Sequence, residues 1–173
     1  MRSFELTADC RRCSALCCVV YPFVRSPEFA ADKPAYVACG HVTGAFRCAI
    51  HASREHRGYP GCVTYDCHGA GQYVTQVLFD GRAWTDLEEP AVMFDVFLVL
   101  RALFAQLSLL QTALTLDSPD TVRSALSSRD AQLRNLIERP LGQLREIDAH
   151  AERAATDKLL SGLAVHLECH ARK

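Results

Sequence analysis

The sequence predicts a mainly α-helical protein in which an irregular, metal-ordered, cysteine-rich module, residues 1–85, packs on a C-terminal three-helix bundle, residues 86–173. Two observations predict this division. Eight of the nine cysteines lie in the first 67 residues, where prolines and glycines interrupt every potential long helix. After Pro90 both of these residue types become rare, and apolar residues recur with helical spacing.

The composition limits the class of protein. A chain of 173 residues with 49% hydrophobic residues suits one domain, or one domain with a small module. The net charge of −1 gives no reason to expect nucleic acid as a partner. The first residues contain no apolar stretch of signal-peptide length, which favours a cytoplasmic protein. In a reducing compartment clustered cysteines are more typical of metal binding than of disulfides, although disulfides and merely buried or reactive thiols are alternatives.

The module has little apolar sequence of its own. Its apolar side chains form only short runs, such as residues 19–21 and 36–38. A segment of this kind needs another source of folding energy, which a bound metal supplies in small zinc domains. Towards its end, residues 73, 74, 77 and 78 are apolar at helical spacing, and Gly81 suits the position just past a helix. We therefore predict a short helix within residues 69–81, with a β-strand as the alternative.

Residues 91–116 predict a long helix. Its length could cross a membrane, but Asp95, Arg101 and Gln106 lie in its middle, so we predict no membrane span. At about 100° per residue a narrow polar face forms from Arg101, Ser108, Gln111, Thr112 and Thr115. On the opposite side, a stripe of small and polar residues would allow close approach of another helix or of the module; it consists of Ala91, Asp95, Ala102, Gln106 and Ala113.

Two further helices complete the predicted bundle. Ser118 can cap a helix whose first turn contains Pro119. Pro140 and Gly142 separate this helix from a last one, whose apolar residues run over positions 144–167. The apolar surface around the long helix is larger than these two helices can cover. We therefore predict that the module, a protein partner, or a second copy of the chain in a homodimer covers the rest.

The cysteine spacing indicates metal ligation. Cys10 and Cys13 are placed so that one turn presents two thiolates to a metal about 2.3 Å away. Cys17 and Cys18 follow at once, and adjacent side chains on a helix point about 100° apart. Neighbouring cysteines therefore serve different metals, or different irons of one cluster, more readily than one tetrahedral ion. Eight cysteines make two sets of four, but their spacing does not assign the members of each set.

The predicted metal ligands are Cys10, Cys13, Cys17, Cys18, Cys39, Cys48, Cys62 and Cys67. An iron–sulfur cluster, with the 4Fe–4S type first, is the predicted cofactor because surplus and adjacent thiolates suit a multi-iron centre, and zinc is the alternative. His41, His51 and His68 are alternative ligands or hydrogen-bonding neighbours. Cys169, far from the others, is interpreted as a free thiol. The basic residues of the module either compensate the thiolates or form ordinary surface; they include Arg11, Arg12, Lys33, Arg47, Arg54 and Arg57.

This pattern resembles a known family. The run Cys10-x-x-Cys13-x-x-x-Cys17-Cys18, followed by Cys39 and by Cys-Ala-Ile-His at residues 48–51, is similar to the bacterial CxxCxxCC zinc- or iron-chelating domain, whose cysteines are related to those of flagellin lysine N-methylases. Three residues rather than two separate Cys13 from Cys17, and His51 stands where tyrosine is usual. Residues 32–35 and 66–72 also resemble the amino-terminal region of bacterial pentapeptide-repeat proteins. The resemblance implies metal binding.

Three functional classes follow. The protein is a non-catalytic metal-binding protein with a helical partner surface, an iron–sulfur redox or sensing protein, or a metal-dependent enzyme that is methylase-like by family analogy. Gly69-Ala70-Gly71 is too weak a pattern to indicate a nucleotide site. Asp148, His150 and Glu152 are better explained as a solvated helix face than as a catalytic group. For the enzyme alternative, the sequence therefore assigns no catalytic residues.

Overall fold

The computed structural model describes the backbone of residues 4–171 and the side chains of residues 4–163. It confirms a mainly helical protein: the described residues contain no β-strand, only isolated antiparallel bridges. The chain forms two compact units, Met1–Phe97 and Leu98–Lys173, called unit 1 and unit 2 below. The long helix is continuous across this division, and the domain boundary predicted at residue 85 stays a prediction.

Unit 1 contains short helices and the start of a long one. In chain order they are α1 (Leu16–Val20), α2 (Pro60–Thr64), α3 (Ala70–Tyr73) and the beginning of α4 (Pro90–Leu114). Single 3₁₀ turns occur at Cys10–Arg12, His51–Ser53 and Trp84–Asp86.

The helix predicted within residues 69–81 is confirmed. It consists of α3, which continues directly into a π-helix at Val74–Leu78. Gly81 has a φ of +77°, and its N–H donates to the Thr75 carbonyl at 2.8 Å, as expected just past a helix end.

The apolar core of unit 1 lies around α1 and the first turns of α4. The side chains that are completely buried there include Leu16, Val19, Met93, Val96 and Phe97. By contrast, residues 21–68 contain only two buried residues, Lys33 and Tyr59. This long segment contains four of the eight clustered cysteines and has no apolar core of its own.

Unit 2 contains the rest of α4 and the helices α5 (Asp120–Ile137), α6 (Leu141–Leu144) and α7 (Ala149–Ala171). Polar contacts join the three long helices. The Thr156 hydroxyl of α7 donates to the Gln106 amide oxygen of α4 at 2.6 Å. Arg129 of α5 forms an ion pair with Glu152 of α7 at 2.7 Å, so Glu152 has a structural partner.

The predicted start of α5 is wrong. The helix begins at Asp120, and Pro119 precedes it in an extended conformation with no side-chain cap. The Ser118 hydroxyl is buried without a hydrogen-bond partner, so it does not cap the helix. The fixed φ of Pro119 suits the residue before the helix as well as the first turn, which explains the shift by one position.

The last helix also begins later than predicted. The Asp148 carboxylate accepts hydrogen bonds from the backbone N–H groups of His150 and Ala151, both at 3.0 Å, and so caps α7 at Ala149. Leu144, predicted to belong to this helix, lies in the separate α6, where it is completely buried.

The polar face predicted for helix α4 is confirmed in its C-terminal part: Gln111, Thr112 and Thr115 are exposed, whereas Arg101 and Ser108 are half-buried. Gln106 of the opposite stripe is buried against α7 of the same chain. The helix is long and apolar enough to cross a membrane, with a mean hydropathy of 1.8, but only by length and composition, and 50% of that stretch is buried inside the protein. Core helices share these properties, so the absence of a membrane span stays a prediction.

Candidate functional site

The eight cysteines of the first 67 residues are all free thiols in unit 1. Cys10 is exposed, and the other seven are half-buried. The ninth, Cys169, has a side chain outside the described residues, so its interpretation as a free thiol stays a prediction.

The segment that contains Cys10 and Cys13 is held by the helical stretch after residue 69. Gln72 is buried, and its amide accepts from the Asp9 N–H at 3.0 Å and donates to the Thr7 carbonyl at 2.8 Å. One turn later, Thr75 accepts from the Ser14 N–H at 3.2 Å. These side chains fix the backbone on both sides of the Cys-x-x-Cys turn.

Gly71 provides room for two sulfurs. A Cβ placed on Gly71 would come within 2.8 Å of the Cys13 Sγ and 3.7 Å of the Cys67 Sγ. Both thiols therefore pack against α3 at Gly71, where the helix has no side chain, although 54 positions separate them in the sequence.

Gly69 serves a different steric purpose. Its φ is +89°, and a Cβ there would lie 1.9 Å from the Glu5 carbonyl oxygen. Only glycine tolerates both conditions. The Gly69-Ala70-Gly71 motif thus belongs to the packing of the N-terminal segment and of the thiols.

A second group of cysteines is joined by backbone hydrogen bonds. The Cys39 N–H donates to the Cys18 carbonyl at 3.0 Å, and the Cys39 carbonyl accepts from the Val42 N–H at 2.9 Å. Val42 in turn forms an isolated bridge with Cys48. Arg54 extends this connection, because its guanidinium donates to the Cys62 carbonyl at 2.7 Å.

The adjacent thiols of Cys17 and Cys18 do not diverge as the sequence suggested: their sulfurs are 3.9 Å apart and form a hydrogen bond. This bond from Cys17 lowers the pKa of Cys18 to about 7, with help from Lys33 and Arg54 and against the effect of burial. The same bond, followed by burial, holds the pKa of Cys17 well above its usual value. Of the two neighbouring thiols on α1, Cys18 is therefore the more easily ionised.

Lys33 is a buried cation beside these thiols. Its residue is 5% exposed, and its ammonium donates to the carbonyls of Val19 and Pro34, each at 2.9 Å. Burial lowers the pKa of Lys33, while the nearby thiols of Cys39, Cys18 and Cys17 oppose that change. No carboxylate pairs with Lys33 among the described side chains. The anions available to balance this buried charge are thiolates.

The remaining basic residues divide between thiols and surface. Arg54 lowers the pKa of Cys18 and opposes the increases at Cys10, Cys48 and Cys62, which is the charge compensation that the sequence suggested. Arg47 instead donates to the carbonyls of Cys10, at 2.8 Å, and of Arg11.

Arg11 and Arg12 form ion pairs at the surface with Asp9 and Glu5, at 3.5 and 2.8 Å. For these two arginines the alternative interpretation, ordinary surface, is the better description. The sequence alone could not show which of the six basic residues lie beside thiols and which lie at the surface, because this depends on the path of the loops.

The histidines have other contacts. The His41 ring packs edge-on against Tyr59, with centroids 5.2 Å apart, and the His68 Nδ1 lies 3.9 Å from an Asp66 carboxylate oxygen. The exposed residue His51 accepts a hydrogen bond at its carbonyl from Arg54. Within residues 4–163, no group of three or more cysteine, histidine, aspartate or glutamate side chains is arranged as a ready metal site. The thiols are assembled in one unit without being in ligand geometry.

Backbone strain is concentrated near the thiols. Ala15, Phe46 and His68 have φ values of 58°, 56° and 50°, and each lies within two residues of a cysteine. A left-handed backbone costs a non-glycine residue roughly 1–2 kcal/mol and persists where the surroundings impose it, commonly at functional sites. The π-helix at Val74–Leu78 is another rare feature that frequently marks such sites.

Comparison with known proteins adds one relative. It is the uncharacterized protein YybG of Bacillus subtilis (strain 168). The two sequences are 33% identical over 158 residues, which cover 91% of this chain and 57% of YybG, so the chain spans little more than half the length of that relative. Because 158 residues exceed either unit alone, the aligned region includes parts of both. No family model matches the chain. No solved structure matches it.

Proposed function

We propose that this chain is a cytoplasmic metal-binding protein whose clustered cysteines hold an iron–sulfur cluster or, alternatively, zinc. One observation carries the proposal: residues 21–68 bury only Lys33 and Tyr59, yet this segment is folded and contains four of the eight free thiols of unit 1. A stretch with so little buried apolar surface needs another source of folding energy, and thiolate–metal bonds supply it in small metal domains.

The chemistry of the donors supports a soft or borderline metal. Thiolates bind zinc and iron–sulfur centres, and Lys33 and Arg54 provide positive charge beside them. Because the sulfurs are not in ligand geometry, we propose that the metal itself draws them together, as in domains that fold when metal binds. The resemblance to the CxxCxxCC chelating domain points in the same direction.

Metal analysis of the protein purified without oxygen tests this function. A brown protein that absorbs near about 400 nm and contains iron and sulfide would support an iron–sulfur cluster, and a colourless protein with stoichiometric zinc would support the alternative. Cys13→Ser and Cys17→Ser should lower the metal content, whereas Cys169→Ser, at the cysteine outside the cluster, should not. A protein that binds neither metal, or variants with undiminished metal, would contradict the proposal.

We also propose the finer arrangement of the fold: a metal-ordered module on a three-helix bundle of α4, α5 and α7 that pairs with a second copy of the chain. The contacts of Gln106 with Thr156 and of Arg129 with Glu152 support the bundle. Leu109 of α4 is 52% exposed, as expected if a partner covers it. Light scattering would test the homodimer, which Leu109→Ser should weaken, and a monomeric protein would contradict it.

A further inference from the structure

Cys13 and Cys67, far apart in the sequence, meet beside Gly71. Their sulfurs lie within 2.8 and 3.7 Å of the position of a Cβ on Gly71. Cys10 lies three residues before Cys13, on the 3₁₀ turn Cys10–Arg12, and the side chains of Gln72 and Arg47 hold the backbone of this segment through hydrogen bonds. Cys17 lies four residues after Cys13, on the first turn of α1.

The other four cysteines belong to a separate backbone framework. Hydrogen bonds connect Cys18 to Cys39, and the bridge between Val42 and Cys48 brings in the third. Arg54 then joins the turn at His51 to the carbonyl of Cys62, with distances of 3.0 and 2.7 Å.

Resting on the proposed function, we infer that the eight thiols form two separate four-thiol centres. The first set is the pair beside Gly71 with its two neighbours along the chain, that is Cys10, Cys13, Cys17 and Cys67. The second set is the four cysteines of the loop framework, Cys18, Cys39, Cys48 and Cys62. Four thiolates are the number that closes a zinc site or ligates one cubane cluster. The sequence offered two sets of four without assigning them, and the fold supplies the assignment.

The thiols that lie close enough to interact electrostatically follow the same division. Cys67 and Cys10 interact with Cys13, and Cys13 and Cys67 interact with Cys17. The thiols that interact with Cys62 are Cys18, Cys39 and Cys48, the rest of the second set.

Two interactions cross between the sets. One is the electrostatic interaction of Cys18 with Cys10, and the other is the hydrogen bond between Cys18 and Cys17. Both involve Cys18, because Cys17 of the first set and Cys18 of the second set are adjacent in the sequence.

The two centres are neighbours. The sulfurs of Cys17 and Cys18 are 3.9 Å apart, and each would bond its own metal at about 2.3 Å, so the two ligated metals would lie within about 8.5 Å of each other. At this distance each metal centre would influence the spectrum of the other, although the two centres have separate ligands.

Titration of the reduced, metal-free protein with Co²⁺ alone tests the assignment, because Co²⁺ occupies zinc-type thiolate sites and its absorption reports thiolate ligation. The unaltered chain should bind two Co²⁺ ions as tetrathiolates. Cys13→Ser/Cys67→Ser, with both changes in the first set, should keep one complete site. Cys13→Ser/Cys62→Ser, with one change in each set, should keep none. The two variants carry the same number of substitutions and so control for each other.

Gly71→Ala tests the first set without removing a thiol. Its Cβ displaces the Cys13 sulfur, so one of the two Co²⁺ ions should bind more weakly, by roughly tenfold or more, while the other is unchanged. Gly44→Ala, with no heavy atom within 4 Å, is the matched control. Equal losses in the two double variants, or a single Co²⁺ site in the unaltered chain, would overturn the two-set assignment. No Co²⁺ binding at all would overturn the proposed function itself.

Discussion

Removing metal from the protein is expected to unfold unit 1 and to leave the long helices of unit 2 largely intact. Structural thiolate sites contribute apparent free energies of about 10–16 kcal/mol, which equals or exceeds the whole stability of a typical domain. Within unit 1 the segment 21–68 has no equivalent reserve, because it buries only Lys33 and Tyr59. The effect of a strong chelator under reducing conditions should therefore be very uneven along the chain.

The single tryptophan makes this measurable. Trp84 lies in unit 1, where its indole N–H donates to the Ser14 carbonyl at 3.0 Å and its ring contacts Phe46 and Phe94. Chelation should shift Trp84 emission towards that of exposed indole, while the far-ultraviolet circular dichroism keeps most of its helical signal. Return of the metal should reverse the shift. Unchanged Trp84 emission after complete metal removal would contradict a metal-ordered unit 1.

Gly69→Ala is expected to destabilise unit 1 strongly while leaving every thiol in place. The new Cβ would lie 1.9 Å from the Glu5 carbonyl oxygen, and alanine is strained at a φ of +89°. Strain of roughly 1–2 kcal/mol and overpacking of roughly 1–3 kcal/mol combine to lower the free energy of unfolding by about 3 kcal/mol. For a unit of this size the corresponding fall in Tm is on the order of 10 °C or more.

Thermal unfolding followed by Trp84 fluorescence tests this prediction. Gly44→Ala is the control, because no heavy atom lies within 4 Å of its Cβ position and its φ is ordinary; its Tm should change by a few degrees at most. If the two variants unfold at the same temperature, Gly69 does not hold the N-terminal segment in the way that the structure indicates.

Local features of the fold could be predicted from sequence, and long-range ones could not. The apolar periodicity of residues 91–116 gave α4 and its polar face, since helical spacing is a local property. Ser118 and Leu144 show the limit: a capping residue and an apolar spacing were both present, but Pro119 and Asp148 decided where the helices begin.

The cysteines were identifiable as a group because their density is a property of composition. Their grouping depends on contacts such as that of Cys13 with Cys67 across Gly71, which no spacing rule contains. The sequence feature that determines part of this grouping is the segment Asp-Cys-His-Gly-Ala-Gly-Gln at residues 66–72. Its glycines leave room for sulfur and backbone, and its glutamine fixes the Cys10 turn.

The two-set arrangement also has a topological consequence. All members of the second set lie between Cys17 and Cys67, so the second set is nested inside the loop that the first set must close. With the second set open, closure brings together ends separated by about 50 residues. Once the second set is ligated, the path shortens to the few residues between Cys62 and Cys67.

The entropic cost of closing a loop rises with the logarithm of its length. The shorter path therefore stabilises metal binding by the first set by about 2 kcal/mol, or roughly thirtyfold in affinity. Three of its four ligands lie within residues 10–17, so Cys67 is the only ligand that a long loop must bring to the site. The connectivity of the chain thus favours an order of assembly in which the inner centre fills first and the outer centre closes over it.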